Sequence, residues 1–294
     1  MSSNTYHFKV GAIDCVALSD GTFAYGPPIF PPPANFLFVN APGDRLGRRL
    51  QECGIDLEQW ETWTSAYTCL LVNTGEHRVL IDTGAGALGV DTGRLLGSLR
   101  SAGVDAGEID YVILTHGHPD HLGGNVDAQG SVVFAEAHWI MSRIEWDFWM
   151  EGEAERVLPE HGRDVLLGTA QRNLSAIRDG ISLVAGEAEI VPGVSILPAP
   201  GHTPGHVVVA VSSAGEELLC LADLVLHPIH VQEPSWFAAF DMLPDQVVAT
   251  RHALLGRAAK ERSLVMAFHF PFPGLGRVSP SGVGWQWEPL EALR

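Results

Sequence analysis

The sequence predicts an α/β sandwich with β-sheets inside and helices outside. The chain has 294 residues, of which 46% are hydrophobic and 18% charged, and this balance is typical of a well-cored globular protein. Short apolar runs typical of strands alternate with stretches of helical character in both halves of the chain. Strands followed by helices in each half favour inner sheets covered by outer helices.

In the first half, five apolar runs are predicted to be strands: residues 7–18, 68–72, 78–81, 111–114 and 132–135. Residues 92–102 are predicted to form a helix, because Leu95, Leu96 and Leu99 fall on one face. A stretch over about residues 137–178 is rich in Trp and charged residues, and we expect it to be helical. Segment 26–33 holds five prolines in eight residues, which predicts an extended loop with partial polyproline II conformation.

In the second half, strands are predicted at residues 181–184, 194–197, 207–211, 218–221 and 264–268, and a helix at residues 244–262. We expect one domain over residues 1–294. It comprises an N-terminal half of about residues 1–136, a helical insert of about 137–180 and a C-terminal half of about 181–294. Active sites of such folds collect on loops at the carboxyl ends of strands.

Charge and terminal composition exclude several classes of function. The formal net charge of −17 disfavours binding to nucleic acid, which needs a basic stripe, and docking on anionic membranes. The N-terminus has no basic segment followed by an apolar one, and apolar runs such as 207–211 are too short to span a bilayer. The four cysteines form no C-x-x-C pair, so we expect a reduced, cytoplasmic protein.

The strongest chemical signal is a cluster of four polar residues directly after the apolar run 111–114: His116, His118, Asp120 and His121. Imidazoles at positions i and i+2 of an extended segment project to the same side. A turn after them can bring the carboxylate and the last imidazole to a second point nearby. Imidazole plus carboxylate suits Zn²⁺ and its first-row neighbours. The alternative, a polar loop of satisfied histidines, requires no such concentration of ligands.

Three further candidates stand at predicted strand ends. His202 follows residues 196–201, Asp223 follows residues 218–222, and His269 follows residues 264–268. A carboxylate directly after a buried strand is costly without a partner, and metal binding would supply one.

At these positions the chain resembles the metallo-β-lactamase superfamily over nearly its whole length. The family pattern is H-x-H-x-D-H followed by His, Asp and His, filled here by His116, His118, Asp120, His121, His202, Asp223 and His269. The resemblance implies an αβ/βα four-layer sandwich with two mixed β-sheets inside. It also implies two divalent ions, with zinc expected and iron, manganese or cobalt as alternatives. The commonest true β-lactamases carry a cysteine ligand where Asp223 stands, so β-lactam hydrolysis is not expected.

The resemblance also implies residue roles. One ion would be held by His116, His118 and His202, the other by Asp120, His121 and His269, with Asp223 and a hydroxide bridging the two. The residual positive charge would lower the pKa of bound water to about 7 and make a nucleophile at neutral pH. Asp120 and Asp223 are the expected catalytic carboxylates, because Asp120 can orient the hydroxide and pass its proton. Asp82 and His206 are expected to support the ligands from behind.

Within the superfamily, the second half is similar to the methyl parathion hydrolase group and its lactonase relatives. Quorum-quenching lactonases commonly carry a tyrosine three residues after the bridging aspartate, where this chain has Leu226. The tyrosine's contact with a lactone carbonyl is thereby missing, and a leucine at this position resembles the methyl parathion hydrolase group. The expected substrate is nonetheless a lactone or ester, with organophosphate triesters as the alternative. A redox enzyme of the same fold that holds iron is a further alternative. Similar enzymes often form dimers, so a homodimer is expected.

The substrate is expected to be small and neutral or apolar, because the chain is acidic and the pocket walls are expected to be apolar. Candidate pocket residues are Leu226, Trp139, Trp146, Trp236 and Phe270. Each aromatic residue of this set has the alternative of being ordinary core. Two histidines near the site, His227 and His230, are left open as contacts to substrate or to a ligand.

Overall fold

The computed structural model describes residues 4–290. Both ends of the predicted domain of residues 1–294, and the first three residues of the segment inspected for a leader, lie outside the described residues. Seven strands form the first sheet, in chain order: β1 (Thr5–Val10), β2 (Ile13–Tyr25), β3 (Trp63–Asn73), β4 (Arg78–Ile81), β5 (Tyr111–Leu114), β6 (His138–Ser142) and β7 (Ile181–Val184). The sheet is mixed, because β4 to β7 pair in parallel and the preceding pairs are antiparallel.

Seven further strands form the second sheet: β8 (Ala188–Val191), β9 (Val194–Pro198), β10 (Val207–Ser213), β11 (Glu216–Cys220), β12 (Leu264–Met266), β13 (Leu275–Ser281) and β14 (Gly284–Pro289). They also lie in chain order. β11 and β12 pair in parallel, while the other neighbours are antiparallel, so this sheet is mixed too.

Nine α-helices connect or cover the sheets in the described part of the chain: α1 (Ala34–Leu37), α2 (Gly43–Glu52), α3 (Leu95–Ser101), α4 (Pro119–Leu122), α5 (Arg143–Met150), α6 (Glu153–Val157), α7 (Glu160–Ala176), α8 (Pro228–Gln232) and α9 (Pro244–Glu261). No helix within residues 4–290 is long and apolar enough to cross a membrane.

The two sheets face each other across a core of branched aliphatic side chains. Ile81 and Ile113 of the first sheet belong to the same buried cluster as Val209 and Leu218 of the second. Strands buried on both faces are nearly continuous apolar runs, and burying such runs is the main favourable term in folding. Separate buried clusters join the outer face of each sheet to its helices. The predicted four-layer sandwich with two mixed sheets is confirmed.

Four of the predicted segments have a different structure from the one expected. Residues 7–18 form a hairpin rather than one strand, because the chain reverses at Gly11, whose φ is +56°. Residues 132–135 form a turn with one isolated bridge between Val126 and Val132. The predicted helical insert begins with strand β6 and continues as three helices. Segment 26–33 contains turns rather than an extended run, closed by a hydrogen bond from the amide of Phe30 to the carbonyl of Gly26.

Candidate metal centre

The loops that carry the predicted ligands meet at one edge of the two sheets. His116 follows β5, and His118 caps α4, whose first residue is Pro119. His202 lies in the turn between β9 and β10, and His269 lies beyond the end of β12. Asp223 sits in a short 3-10 turn after β11. Residues as far apart in the chain as Asp120 and His269 thereby come within contact distance, as the carboxyl ends of strands do in such folds.

Three imidazoles converge on the first point of the cluster. Nε2 of His116 lies 3.1 Å from Nδ1 of His118, and that nitrogen lies 2.9 Å from Nε2 of His202. Oδ2 of Asp223 lies 3.2 Å from Nε2 of His202 and 3.8 Å from Nε2 of His116. Ring nitrogens that face each other this closely are arranged as a ligand set.

A second group meets the first at the same carboxylate. Oδ1 of Asp223 lies 2.9 Å from Nε2 of His121, and its Oδ2 lies 3.0 Å from Nε2 of His269. Oδ2 of Asp120 lies 3.5 Å from Nε2 of His269 and 3.9 Å from Nε2 of His121. Asp223 therefore belongs to both groups.

The donor set fits metal ions. Each group contains four residues whose ligand atoms lie within 4.8 Å of one another, namely His116, His118, His202 and Asp223, and Asp120, His121, Asp223 and His269. Nε2 of His121 and Oδ1 of Asp223 are buried and make no hydrogen bond, although they are 2.9 Å apart. Buried polar atoms without partners are costly, and a cation between them removes that cost.

The far nitrogens of four imidazoles are held by other side chains. Nδ1 of His121 lies 2.7 Å from Asp82, Nδ1 of His202 lies 2.9 Å from Asp241, Nδ1 of His269 lies 2.8 Å from Ser65 and Nδ1 of His116 lies 3.2 Å from Thr115. Such contacts fix the tautomer and orientation of an imidazole that binds metal through its other nitrogen. His118 differs, because its Nδ1 points into the cluster and its ring lies 5.8 Å from that of Trp149.

Burial and the mutual charges of the cluster move the pKa values in opposite directions. Burial, together with the neighbouring imidazoles, lowers the pKa of His116 and His118 well below the usual value. Burial also disfavours the charged form of His202, but Asp223 and Asp241 outweigh it and raise the pKa to about 9. For Asp223, burial is outweighed by the surrounding imidazoles, above all His269, which hold its pKa well below the usual range.

The two residues predicted to support the ligands lie directly behind them. The carboxylate of Asp82 accepts hydrogen bonds from the backbone amide and hydroxyl of Thr115, each at 2.8 Å, and contacts His121. Nδ1 of His206 lies 3.1 Å from the carbonyl of Ala199, and its Nε2 lies 3.3 Å from the amide of Asp223.

Two of the five predicted pocket residues, Leu226 and Trp236, lie in an aromatic layer next to the candidate ligands. The layer also contains the buried Phe36 and Trp63 and the partly buried Tyr25, Phe30 and Phe240. The ring of Trp63 lies 5.8 Å from that of His269, which joins this layer to the candidate ligands.

The other three predicted pocket residues lie in ordinary core, and the structure does not bring them to the ligands. Trp139 is on β6 rather than on a helix, and its ring packs against Phe134 under the outer helices. Trp146 on α5 belongs to the same core and lies under the guanidinium of Arg178. Phe270 packs on Trp287 in the core outside the second sheet. Aromatic side chains of this size supply core contacts wherever a sheet meets a helix, which explains all three.

The histidines left open have structural contacts. Nδ1 of His227 accepts a hydrogen bond from the amide of Ile229 and so caps α8. His230 contacts the carbonyl of Leu37 through Nε2 at 2.8 Å.

Sequence patterns gave no signal for several residues around the site. Tyr25 and Tyr67 share a hydrogen bond of 2.6 Å between their hydroxyls, and the ring of Tyr67 lies 5.5 Å from that of His269. Glu145 and Asp241 are buried carboxylates next to the ligand loops. None of them belongs to the ligand motif or stands directly after a predicted strand, so local sequence does not mark them.

Comparisons with known proteins agree with this site. Residues 63–269 match the profile of the Metallo-beta-lactamase superfamily. An N-acyl homoserine lactonase of Bacillus sp is 26% identical over 209 residues, 64% of this chain and 72% of that protein. One of Bacillus thuringiensis is 24% identical over 223 residues, 68% of this chain and 80% of that protein.

Solved structures agree over the full length. AidC, described as a dizinc quorum-quenching lactonase in complex with a product, superimposes with a TM-score of 0.89 at 29% identity, covering 100% of both chains. The hydrolase AbOPH superimposes with a TM-score of 0.86 at 27% identity, covering 99% of both chains. The profile match spans most of the chain and includes all seven candidate ligands, so the protein belongs to the metallo-beta-lactamase superfamily of hydrolases.

Proposed function

We propose that this hydrolase cleaves lactones or esters that carry an apolar group, and that it does so with two divalent metal ions. Zinc is the metal that we expect. The observation that carries the proposal is the pair of four-residue groups that share Asp223 beside an aromatic layer. Relatives described as N-acyl homoserine lactonases, and a structural neighbour described as a dizinc lactonase, support the substrate class and the metal.

In this proposal His116, His118 and His202 hold one ion, Asp120, His121 and His269 hold the other, and Asp223 contacts both. Bound ions of this kind supply Lewis acidity toward a carbonyl oxygen and allow water to act as a nucleophile at neutral pH. The remaining work falls to the side chains of the chain itself.

Asp120 is the carboxylate best placed to handle a proton. It is the most exposed of the seven candidate ligands at 8%, whereas His116 and His121 are fully buried. We infer that it faces the side from which substrate and water enter. We assign it the orientation of the attacking water and the transfer of its proton toward the leaving oxygen. Asp223 is more deeply buried and holds the two groups together.

The aromatic layer would hold the apolar part of the substrate. Tyr25, Phe30 and Phe240 are partly exposed, and their rings lie 4.9–6.3 Å from one another. Trp63 stacks on Tyr25 at 5.1 Å and leads to His269. Apolar surface of this kind binds acyl or aryl groups by excluding water. The net charge of −17 disfavours polyanionic substrates.

The test is metal analysis of the purified protein followed by a substrate panel of lactones, aryl esters and a nitrophenyl phosphotriester. We expect about two metal equivalents and the highest kcat/KM on a lactone or ester. Preference for the phosphotriester would instead support the alternative of an organophosphate triester hydrolase, to which Leu226 points. Iron as the resident metal, with no hydrolysis of any member of the panel, would favour the redox alternative and overturn the proposal.

The assignment of the ligands is tested with His116→Ala, which should lose both metal and activity. His138→Ala is the matched control, because His138 is exposed on β6 and contacts only the hydroxyl of Ser182 among the side-chain hydrogen bonds found for it. Retained activity in His116→Ala would remove that residue from the site. The homodimer and the cytoplasmic location stay predictions.

A further inference from the structure

Glu145 is a fully buried glutamate of α5 that makes no hydrogen bond to the candidate ligand side chains. Helix α5 packs on the first sheet against β6 and β7. The carboxylate of Glu145 points between the loop that contains Gly117 and the loop that contains Gly205.

Four donors saturate the carboxylate. Oε1 accepts hydrogen bonds from the backbone amide of Gly117 at 2.9 Å and from the indole of Trp149 at 2.7 Å. Oε2 accepts from the hydroxyl of Thr203 at 2.7 Å and from the backbone amide of Gly205 at 2.9 Å. A carboxylate that accepts two bonds on each oxygen is fixed in position and orientation.

The donors belong to the two chain segments that deliver one group of candidate ligands. Gly117 stands between His116 and His118, and Thr203 directly follows His202. Glu145 thus joins loops that are more than 80 residues apart in the chain and sets the distance between their imidazoles.

The close approach of helix α5 to both loops leaves no room for adjustment. A Cβ added to Gly117 would lie 2.2 Å from Nε1 of Trp149, and one added to Gly205 would lie 2.1 Å from the backbone nitrogen of Glu145. Glycine is therefore needed at both places where the loops meet the helix. At Gly205 the close approach is to the backbone of the helix itself, and at Gly117 it is to the indole of Trp149.

The other group of candidate ligands is held by different residues. Asp82 contacts His121, and Ser65 contacts His269. No hydrogen bond found among residues 4–290 links Glu145 to Asp120, His121 or His269.

We propose that Glu145 is a positioning residue that presets the spacing of His116, His118 and His202 before metal binds, and that it acts on this one metal group alone. The inference rests on the proposed two-metal function. Its consequence is that loss of the carboxylate weakens one metal site selectively.

The test compares Glu145→Gln with Glu233→Gln in metal-stripped full-length protein, titrated with Zn²⁺ against a chromophoric chelator. Glutamine keeps the shape, but its NH2 group faces donors instead of accepting from them. Glu233 is the matched control, because it is equally buried and bonded by Arg45 and Arg49, away from the ligand loops. We expect Glu145→Gln to weaken one of two zinc sites by about 10- to 100-fold and the control to leave both within about threefold.

Variants that leave a single metal group assign the affected site. In a His269→Ala background the remaining ion should be weakened by Glu145→Gln, whereas in a His118→Ala background it should not. Equal weakening in both backgrounds, or none in either, would overturn the inference.

Failure of the proposed function has a different signature, because wild-type protein would then bind no zinc pair at all. Where Glu145→Gln does not fold, Thr203→Val takes its place in the same design. It removes one of the four bonds, and we expect a smaller loss confined to the same site; unchanged affinity would again contradict the inference.

Discussion

Loss of the Arg251 side chain should strongly lower the free energy of unfolding of the metal-free protein. Arg251 lies on α9, is fully buried, and donates to the backbone carbonyls of Leu224 and Trp236 and, at 3.1 Å, to Oδ2 of Asp241. Oδ1 of Asp241 lies 2.9 Å from Nδ1 of His202. The guanidinium therefore holds the loop that follows Asp223 and, through Asp241, also supports His202.

The expected cost of Arg251→Met follows from these contacts. Removing one member of a buried ion pair costs about 3–5 kcal/mol, because the other charge is left uncompensated. Each of the two carbonyls that lose their donor adds about 1 kcal/mol or more. We therefore expect a loss of at least about 5 kcal/mol, which corresponds to roughly 10 °C in Tm for a chain of this size.

The measurement is urea unfolding of the metal-free protein at neutral pH, with Arg257→Met as the matched control. Arg257 is also on α9, but it is partly exposed in its ion pair with Glu217, so its loss should cost less than about 1 kcal/mol. The double variant Arg251→Met/Asp241→Asn should be less destabilised than the sum of the two single variants, since the pair is coupled. Equal losses for the two arginine variants would refute the reasoning.

Three further predictions follow from the site. In metal-free protein, burial lowers the pKa of His202 but two carboxylates outweigh it and raise the value to about 9, so the stabilisation is full below pH 6.5 and lost as pH rises through 9. The free energy of unfolding should therefore fall between pH 6.5 and 9. In the zinc-loaded protein the metal takes the place of this proton, so the free energy of unfolding should vary less with pH over that range. The same pH dependence with and without zinc would contradict this. Gly117→Ala should cost about 1–3 kcal/mol by displacing Trp149, whereas Gly168→Ala, on a helix with open space around it, should be neutral or stabilising in thermal melts. Asp82→Asn should weaken zinc binding about 10- to 100-fold in the chelator titration, and wild-type affinity would exclude a supporting role.

The sequence was most informative where chemistry is local. Strand β5 has the predicted bounds, and the ligand cluster from His116 to His121 follows it directly. The apolar runs of a sandwich core and the concentration of metal-binding side chains on one turn can both be recognised without tertiary information. For the same reason the superfamily could be named from seven positions.

The remaining features depend on tertiary contacts that leave no local pattern. Glu145 and Arg251 are charged residues on helices, where a solvated face is the usual interpretation, and only the fold shows that both are buried. Trp139 was placed on a helix, because the short strand β6 has no alternation to distinguish it from the helices that follow. The turn at Gly11 was missed, because apolar residues continue on both sides of it.

Asp223 gives the site a property that neither metal group has alone. One carboxylate contacts imidazoles from both halves of the chain, including His121 from the first and His202 and His269 from the second. Each group of candidate ligands takes residues from both halves, so neither is complete until the two sheets have docked. A metal ion bound at either position would therefore oppose separation of the two sheets, and removal of metal should lower the free energy of unfolding.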